Sequence, residues 1–583
     1  MDNTINTFSV VMISLGALIG LVVIIVAIRG VLIDKGGEVG GWTLRGANQT
    51  IFAVARSTLA EGIRAKVASG FALVIVISVP VFYFMAKGDA TIKGRVQMFM
   101  AYSLGFSSFV LALLTILFSC RSLSREIESR QIFGLVTKPV PRWQILAGKW
   151  CGIMALNVLL MAIVGISTYI GTRQIVGNFK GVLRHQLETD GGLTADQASR
   201  VVAALGEVRG PGAKGMQSPI ITAMQESTGM TRQEIGDILL KLPESTRVDL
   251  RRGDELRRQV LVARASVKPE IDYKAIAELA EKRYKELDKE GRLPKDLGRE
   301  RIMEALQTEI FGRMSMVLPF QDLTWIMKGP KPDKRDDALM SLRFKIDCES
   351  ALPPLRFREI GMLLEENKVW CAWLIGDPKS ATVVAIPPPL QAESVQEIEL
   401  PIDCVSPDGT IQISMRNEDP RNVALGFDIT KNLEVMYLVG SFESNLFHAC
   451  LALLIPIACL ASFGVFASTF LTFPVAALIL VCLYVISSSM GFVAESLAVT
   501  TEYYDPTEIQ GMDLRIRQTM VSTMGWALAI GDINPVGDLI EGRAIGWPRL
   551  FDGFWRFVLI KGGAAMFIGV LIFRRRELAA VIV

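Results

Sequence analysis

Long apolar runs separated by basic joints organise this chain. Seven runs, at about 10–28, 68–86, 98–120, 152–171, 447–467, 471–492 and 552–573, are long enough as helix to cross a hydrocarbon core of roughly 30 Å. The pattern predicts seven membrane spans. No Lys or Arg precedes the first run, and no small-residue cleavage pattern follows its basic end at Arg29, so it reads as an uncleaved anchor rather than a signal peptide.

The joints assign sides. Arg29, Lys35, Arg45, Arg56, Arg64 and Lys66 lie between runs one and two; Arg121, Arg125, Arg130, Lys138, Arg142 and Lys149 lie between three and four; Arg574, Arg575 and Arg576 follow the last. Excess Lys and Arg in short loops marks the cytoplasmic side. The expected orientation is therefore N-terminus outside and C-terminus cytoplasmic, in the inner (cytoplasmic) membrane. The stretches 172–446 and 493–550 then fall outside.

Within residues 51–67, Ile51, Ala55, Leu59, Ile63 and Val67 recur every fourth position while Arg56, Glu61, Arg64 and Lys66 take other faces. This spacing predicts an amphipathic helix lying at the cytoplasmic interface before the second span. The insert from 172 to about 446 changes texture midway. Residues 172–340 read as mainly helical, with a capping box at Thr194-Ala195-Asp196-Gln197 and an Ala/Glu/Lys/Leu-rich stretch at 270–290. Arg251, Arg252, Arg257 and Arg258, interleaved with Asp254 and Glu255, suit a solvated helical face better than a nucleic-acid surface. From 341 to 446, short β-branched runs at 342–346, 369–375, 381–386, 398–400, 410–415 and 433–439 predict an antiparallel β-domain of sandwich type. It serves either as a binding module or as a structural cap.

Composition narrows the chemistry. Half of the 583 residues are hydrophobic and the formal net charge is only +3, which suits a membrane protein with a large polar part. Eight cysteines in this length make no disulfide scaffold, and Cys348, Cys371 and Cys404, the three in the insert, leave any pairing undetermined. The two histidines, His185 and His448, stand in distant regions, which argues against a histidine metal site. No phosphate-binding loop is present, since Ala147-Gly148-Lys149 lacks the upstream glycine and runs into Trp150. No hydrolase elbow or zinc-protease motif occurs either. The spans carry almost no internal charge beyond Lys561 and Glu495 near their ends, so ion coupling lacks its usual groups. Energy for any transport must come from another subunit, and the chain itself is expected to be no enzyme and to hold no metal or cofactor.

The joint from Ser122 to Lys149 suits such a partner. Leu123, Ile127 and Phe133 offer apolar contact, Arg125, Glu126, Glu128 and Arg130 a charged rim, and Pro139 and Pro141 interrupt the helix before Arg142 leads into the next span. In these residues the chain resembles the permease subunits of ABC-2 type transporters, especially the branch named for a copper-enzyme maturation permease. Glu126, Glu128, Lys138, Pro139, Arg142, Gly148 and Lys149 match that family's acidic helix, Pro-x-x-Arg and Gly-Lys; Arg130-Gln131 stands where the family has Gly-Thr. The stretch with Arg56, Glu61, Arg64 and Lys66 is similar to the family's interfacial entry helix, and Phe573 through Ala579 to its ending. Phe463 through Ser468 with Pro474 resembles the short cytoplasmic turn between the fourth and fifth of its six core spans.

The resemblance covers roughly 50–171 and 446–579. It implies an α-helical polytopic protein with a six-span ABC-2 permease core and an extra N-terminal span at 10–30. Residues 50–171 and 447–579 would be the two halves of that core, interrupted by a large extracytoplasmic α+β insert. The implied partners are a cytoplasmic ABC ATPase that carries ATP and Mg, a second permease copy or homologous permease, and membrane lipid. ATPase-coupling candidates are Arg125, Glu126, Glu128, Arg130, Pro139, Arg142 and Lys149. The expected activity is ATP-driven export, or mechanical action on a substrate at the membrane. A membrane-anchored binding or scaffold protein, working through its insert, is the alternative.

Overall fold

The computed structural model describes residues 47–575 with breaks, the longest at 129–140, most of 205–241, 329–339, 350–367 and 504–534. The first apolar run lies outside the described residues. Helices α1 (Ala47–Arg64) and α2 (Lys66–Met85) come first, and their segments Thr50–Arg64 and Ser69–Met85 are bent by 66° to each other. Two rods follow, α3 (Ile92–Glu128, 37 residues) and α4 (Arg142–Thr189, 48 residues). At 1.5 Å per residue α4 is about 72 Å long, more than twice the hydrocarbon thickness. Pro141, with φ −60° and ψ 132°, starts it, because proline's fixed φ suits a helix entry while its missing N–H costs nothing there. Several polar residues inside these rods bond to each other or to their own helix: Thr115 Oγ1 donates to Asn157 Oδ1 at 3.0 Å, Asn157 Nδ2 to the Ile153 carbonyl at 3.1 Å, and Thr168 Oγ1 to Ser103 Oγ at 3.2 Å.

Helix α5 (Ala195–Ala204) opens on the predicted capping box, with Gln197 N donating to Thr194 Oγ1 at 3.3 Å and Thr194 N to Gln197 Oε1 at 3.0 Å. Then come α6 (Glu244–Gln259), strand β1 (Val262–Val267), α7 (Tyr273–Lys289), capped by Asp272, and α8 (Arg299–Ser315). The remaining strands are β2 (Met316–Val317), β3 (Asp322–Lys328), β4 (Met340–Lys345), β5 (Asp347–Glu349), β6 (Lys368–Val369), β7 (Cys371–Ile375), β8 (Val384–Ile386), β9 (Leu390–Gln391), β10 (Val395–Leu400), β11 (Thr410–Asn417), β12 (Ala424–Gly426) and β13 (Leu433–Ser441). The chain ends in α9 (Phe442–Ala467), α10 (Phe473–Tyr503), α11 (Pro535–Ile540) and a last long helix made of α12 (Trp547–Gly553), a π-helical stretch Phe554–Gly562 and α13 (Gly563–Arg575).

Among the described residues four helices are long and apolar enough to cross a membrane: Ile92–Glu126, Arg142–Thr189, Phe442–Ala467 and Trp547–Arg575; the bent α1–α2 pair makes a fifth if it is one span. The run expected at 471–492 lies in α10, whose apolar part, Phe473–Ser489, is shorter. The protein is thus a polytopic α-helical membrane protein with a large α+β region outside the spans.

The chain divides into two compact units, one of residues 1–198, 241–263 and 441–583, the other of 199–240 and 264–440. Neither unit coincides with the stretch 172–446. Helix α4 runs on past 171 to Thr189, α6 belongs to the first unit, and strands begin at Val262 and intervene again at 316–328.

In the second unit the two larger sheets have strand orders β1-β13-β4-β10 and β3-β11-β7-β8. The registered pairs are antiparallel, as with Leu342 opposite both Ile398 and Val435, and Ile413 opposite both Trp325 and Ile375. The sheets share one core. Trp373 stacks against Phe344 at 4.7 Å between ring centroids and meets Phe427 at 5.7 Å. Strand β1 escaped the sequence reading because Arg264 sits in its middle. That arginine is 4% exposed and is held by Glu397 and by Ser341 Oγ at 3.3 Å, so its charge is paired rather than solvated. Trp373→Ala should remove the ring that joins both sheets and cost about 3–5 kcal/mol. Thermal melting followed by circular dichroism in detergent should show the β transition falling while the helical signal of the spans persists.

Candidate functional site

The joint is bounded by the last turn of α3 and the first turns of α4, and its two ends are tied by a buried ion pair. Lys149 is 1% exposed. An ammonium there is stable only with an acceptor for each proton. It has three: Glu126 Oε1 at 2.8 Å, Ser122 Oγ at 3.1 Å and the Ser122 carbonyl at 3.2 Å. Glu126 is half-buried and its Oε2 is enclosed with no hydrogen-bond partner among the described residues. Arg125, one position earlier, is exposed, and Glu128 closes the last turn of α3. Arg130, Pro139 and their neighbours Gln131, Phe133 and Lys138 lie outside the described residues.

Helix α1 lies against the first turns of α4 through two glycines. A Cβ on Gly148 would come within 2.6 Å of Val54 Cβ and 2.9 Å of the Ile51 carbonyl; one on Gly152 would come within 2.6 Å of the Ala55 carbonyl. Gly62, on α1 itself, approaches Leu156 and Phe118 at 3.0 Å on the same test. Such small-residue spacing is the signature by which helices approach closely in a membrane, and Gly148-x-x-x-Gly152 was readable in the sequence. Of the expected apolar face, Ile51, Ala55, Leu59 and Ile63 are part-buried, the Val67 side chain lies outside the described residues, and the deepest positions of α1 are Thr58 and Gly62. Of the charged positions, Arg56 and Glu61 are part-buried and Arg64 is exposed; Lys66 begins α2.

Other elements meet the same end of the first unit. Arg142 donates to the carbonyls of Phe573 and, at 3.0 Å, Arg574, and its guanidinium lies 5.6 Å from the Phe573 ring centre. Ser124 Oγ reaches the Leu471 carbonyl at 3.4 Å, in the turn between α9 and α10. Trp150 Nε1 donates to the Ala458 carbonyl of α9 at 3.1 Å. Just before that turn Gly464 is obligatory, since a Cβ there would fall 1.7 Å from Ser119 Oγ. His448, near the start of α9 and away from that turn, packs edge-on against Trp547 at 4.8 Å between ring centres and takes no part in this site.

Among the described residues no group of three or more His, Cys, Asp or Glu could hold a metal ion. Gly148→Leu should push α1 off α4, and Lys149→Met should leave Glu126 enclosed without its cation. Each should lower stability by about 2–3 kcal/mol, read as reduced midpoints in thermal unfolding of the detergent-purified protein.

No curated protein and no solved structure matches the chain. The match to a known family begins at the first apolar run, which the resemblance had left unassigned, and takes in α1, the joint and α4. Residues 10–205 match the family model described as ABC-2 family transporter protein, a family of non-catalytic transport subunits, and this stretch has the character of an ABC-2-type permease membrane domain.

Proposed function

We propose that the chain is the permease subunit of an ATP-driven ABC-2 type transporter that exports, or acts mechanically on, a substrate at the inner membrane. The observation that carries this reading is a coincidence of position: the family match spans the joint at 122–149, and the chain has no phosphate-binding loop of its own. ATP and Mg belong to a separate cytoplasmic ATPase that seats on the joint, with Arg125, Glu126, Glu128, Arg130 and Pro139 as contacts and Lys149 as the brace behind them. Helix α1, with Arg56, Glu61, Arg64 and Lys66, lies at the cytoplasmic interface. The working assembly pairs two permeases, and the insert stands outside the membrane. The joint's motif favours the branch named for copper-enzyme maturation. A second reading, a membrane-anchored binding protein, draws support from the second unit's own buried core.

Closure of the ATPase on nucleotide then moves α3 and α4 as a pair, a conformational step without chemistry in this chain. Purification from native membranes in mild detergent should recover an ATPase subunit. Glu126→Ala with Glu128→Ala should reduce that recovery several-fold. Recovery of the chain alone from wild-type membranes, or unchanged recovery with the double variant, would count against the reading.

A further inference from the structure

Arg142 was expected to face the ATPase, yet its guanidinium is engaged inside the protein. It donates to the carbonyls of Phe573 and Arg574 in the last turn of α13 and lies over the Phe573 ring, which is fully buried. The last carbonyls of a helix have no partner within it, and the negative end of the helix dipole favours a cation there. Both bonds come from one terminal nitrogen, Nη1, whose two N–H groups can hold two such carbonyls at once. Arg142 is also the first residue of α4, seven positions before the Lys149 brace.

We infer that Arg142 is a latch that makes the last long helix move with the joint, a positioning residue for energy coupling rather than a partner contact. The inference rests on the permease reading for its purpose and on the geometry above for its existence. It has a mechanical consequence. The family match ends at 205, whereas Phe573 lies far beyond it, in the same compact unit. The latch therefore carries motion of the matched domain into a helix that the match does not include.

That helix has a place to yield. Its Phe554–Gly562 stretch is π-helical, with i→i+5 in place of i→i+4 backbone bonds, and such breaks in α-helices are frequent at functional sites. At the end of the stretch Gly562 faces Ser462 of α9 so closely that a Cβ would lie 2.8 Å from Ser462 Oγ. Displacement entering at Phe573 is taken up in the π-helical stretch, since α13 beyond it is regular α-helix.

Hydrogen exchange with mass-spectrometric readout on the full-length protein in detergent tests the latch. Arg142→Ala should speed exchange of the amides at 571–575 several-fold and leave those of α9 unchanged; Arg142→Lys, with one point charge instead of a fork, should fall between. Trp143→Ala, an exposed neighbour, should leave 571–575 as in wild type. Unchanged exchange in Arg142→Ala, or acceleration spread equally over α9, overturns the latch. Where the ATPase co-purifies, Arg142→Ala should retain it while losing the nucleotide-dependent change in exchange at 571–575; loss of the ATPase with normal exchange makes Arg142 a partner contact and overturns the assignment. If wild type recovers no ATPase, the permease reading fails, and the exchange test of the latch still stands.

Discussion

A lysine ammonium closed off from water dictates how the joint end of the first unit is built. Lys149 needs three acceptors, and all three come from the last turns of α3, in Ser122 and Glu126. Without α3 in that register, the charge would be buried unpaired, which costs several kcal/mol. The ion pair thus fixes where α3 stops relative to where α4 starts, on either side of residues 129–140. It also sets the positions from which Arg142 reaches α13 and Ser124 reaches the α9–α10 turn.

Close backbone approach is the second constraint. Membrane helices gain little from the hydrophobic effect between one another, so packing of small residues and a few interhelical hydrogen bonds hold them. Gly148 and Gly152 let α1 lie on α4, and Thr115 with Asn157 joins α3 to α4. A rod of 48 residues that begins at the joint and ends at Thr189 can pass displacement along its length with little bending.

What the sequence made legible follows physical scale. Local signals were the most legible: four of the seven apolar runs lie in helices long and apolar enough to cross a membrane, the Thr194–Gln197 capping box forms, and strands follow after 340. Long-range pairings were not legible. Arg264 looks like a solvated charge until Glu397 and Ser341 come beside it, and so β1 was not recognised. The joint was found through its charges and prolines, but their roles differ. Lys149 and Arg142 are spent on internal partners, whereas Arg125 remains exposed. That distinction needs the positions of α3 and α13, which no local pattern records.

Among the described residues the two ends of the joint are tied by the Glu126–Lys149 pair, and Arg125 beside it is exposed. In the permease reading we propose, the Glu126–Lys149 pair passes an ATPase's movement into the spans. Nucleotide turnover by the co-purified complex, compared among wild type, Lys149→Glu and the charge-swapped Lys149→Glu with Glu126→Lys, tests it most directly. Substrate- or membrane-dependent stimulation should be lost in the single variant and substantially recovered in the swap; unchanged stimulation in Lys149→Glu would rule that role out.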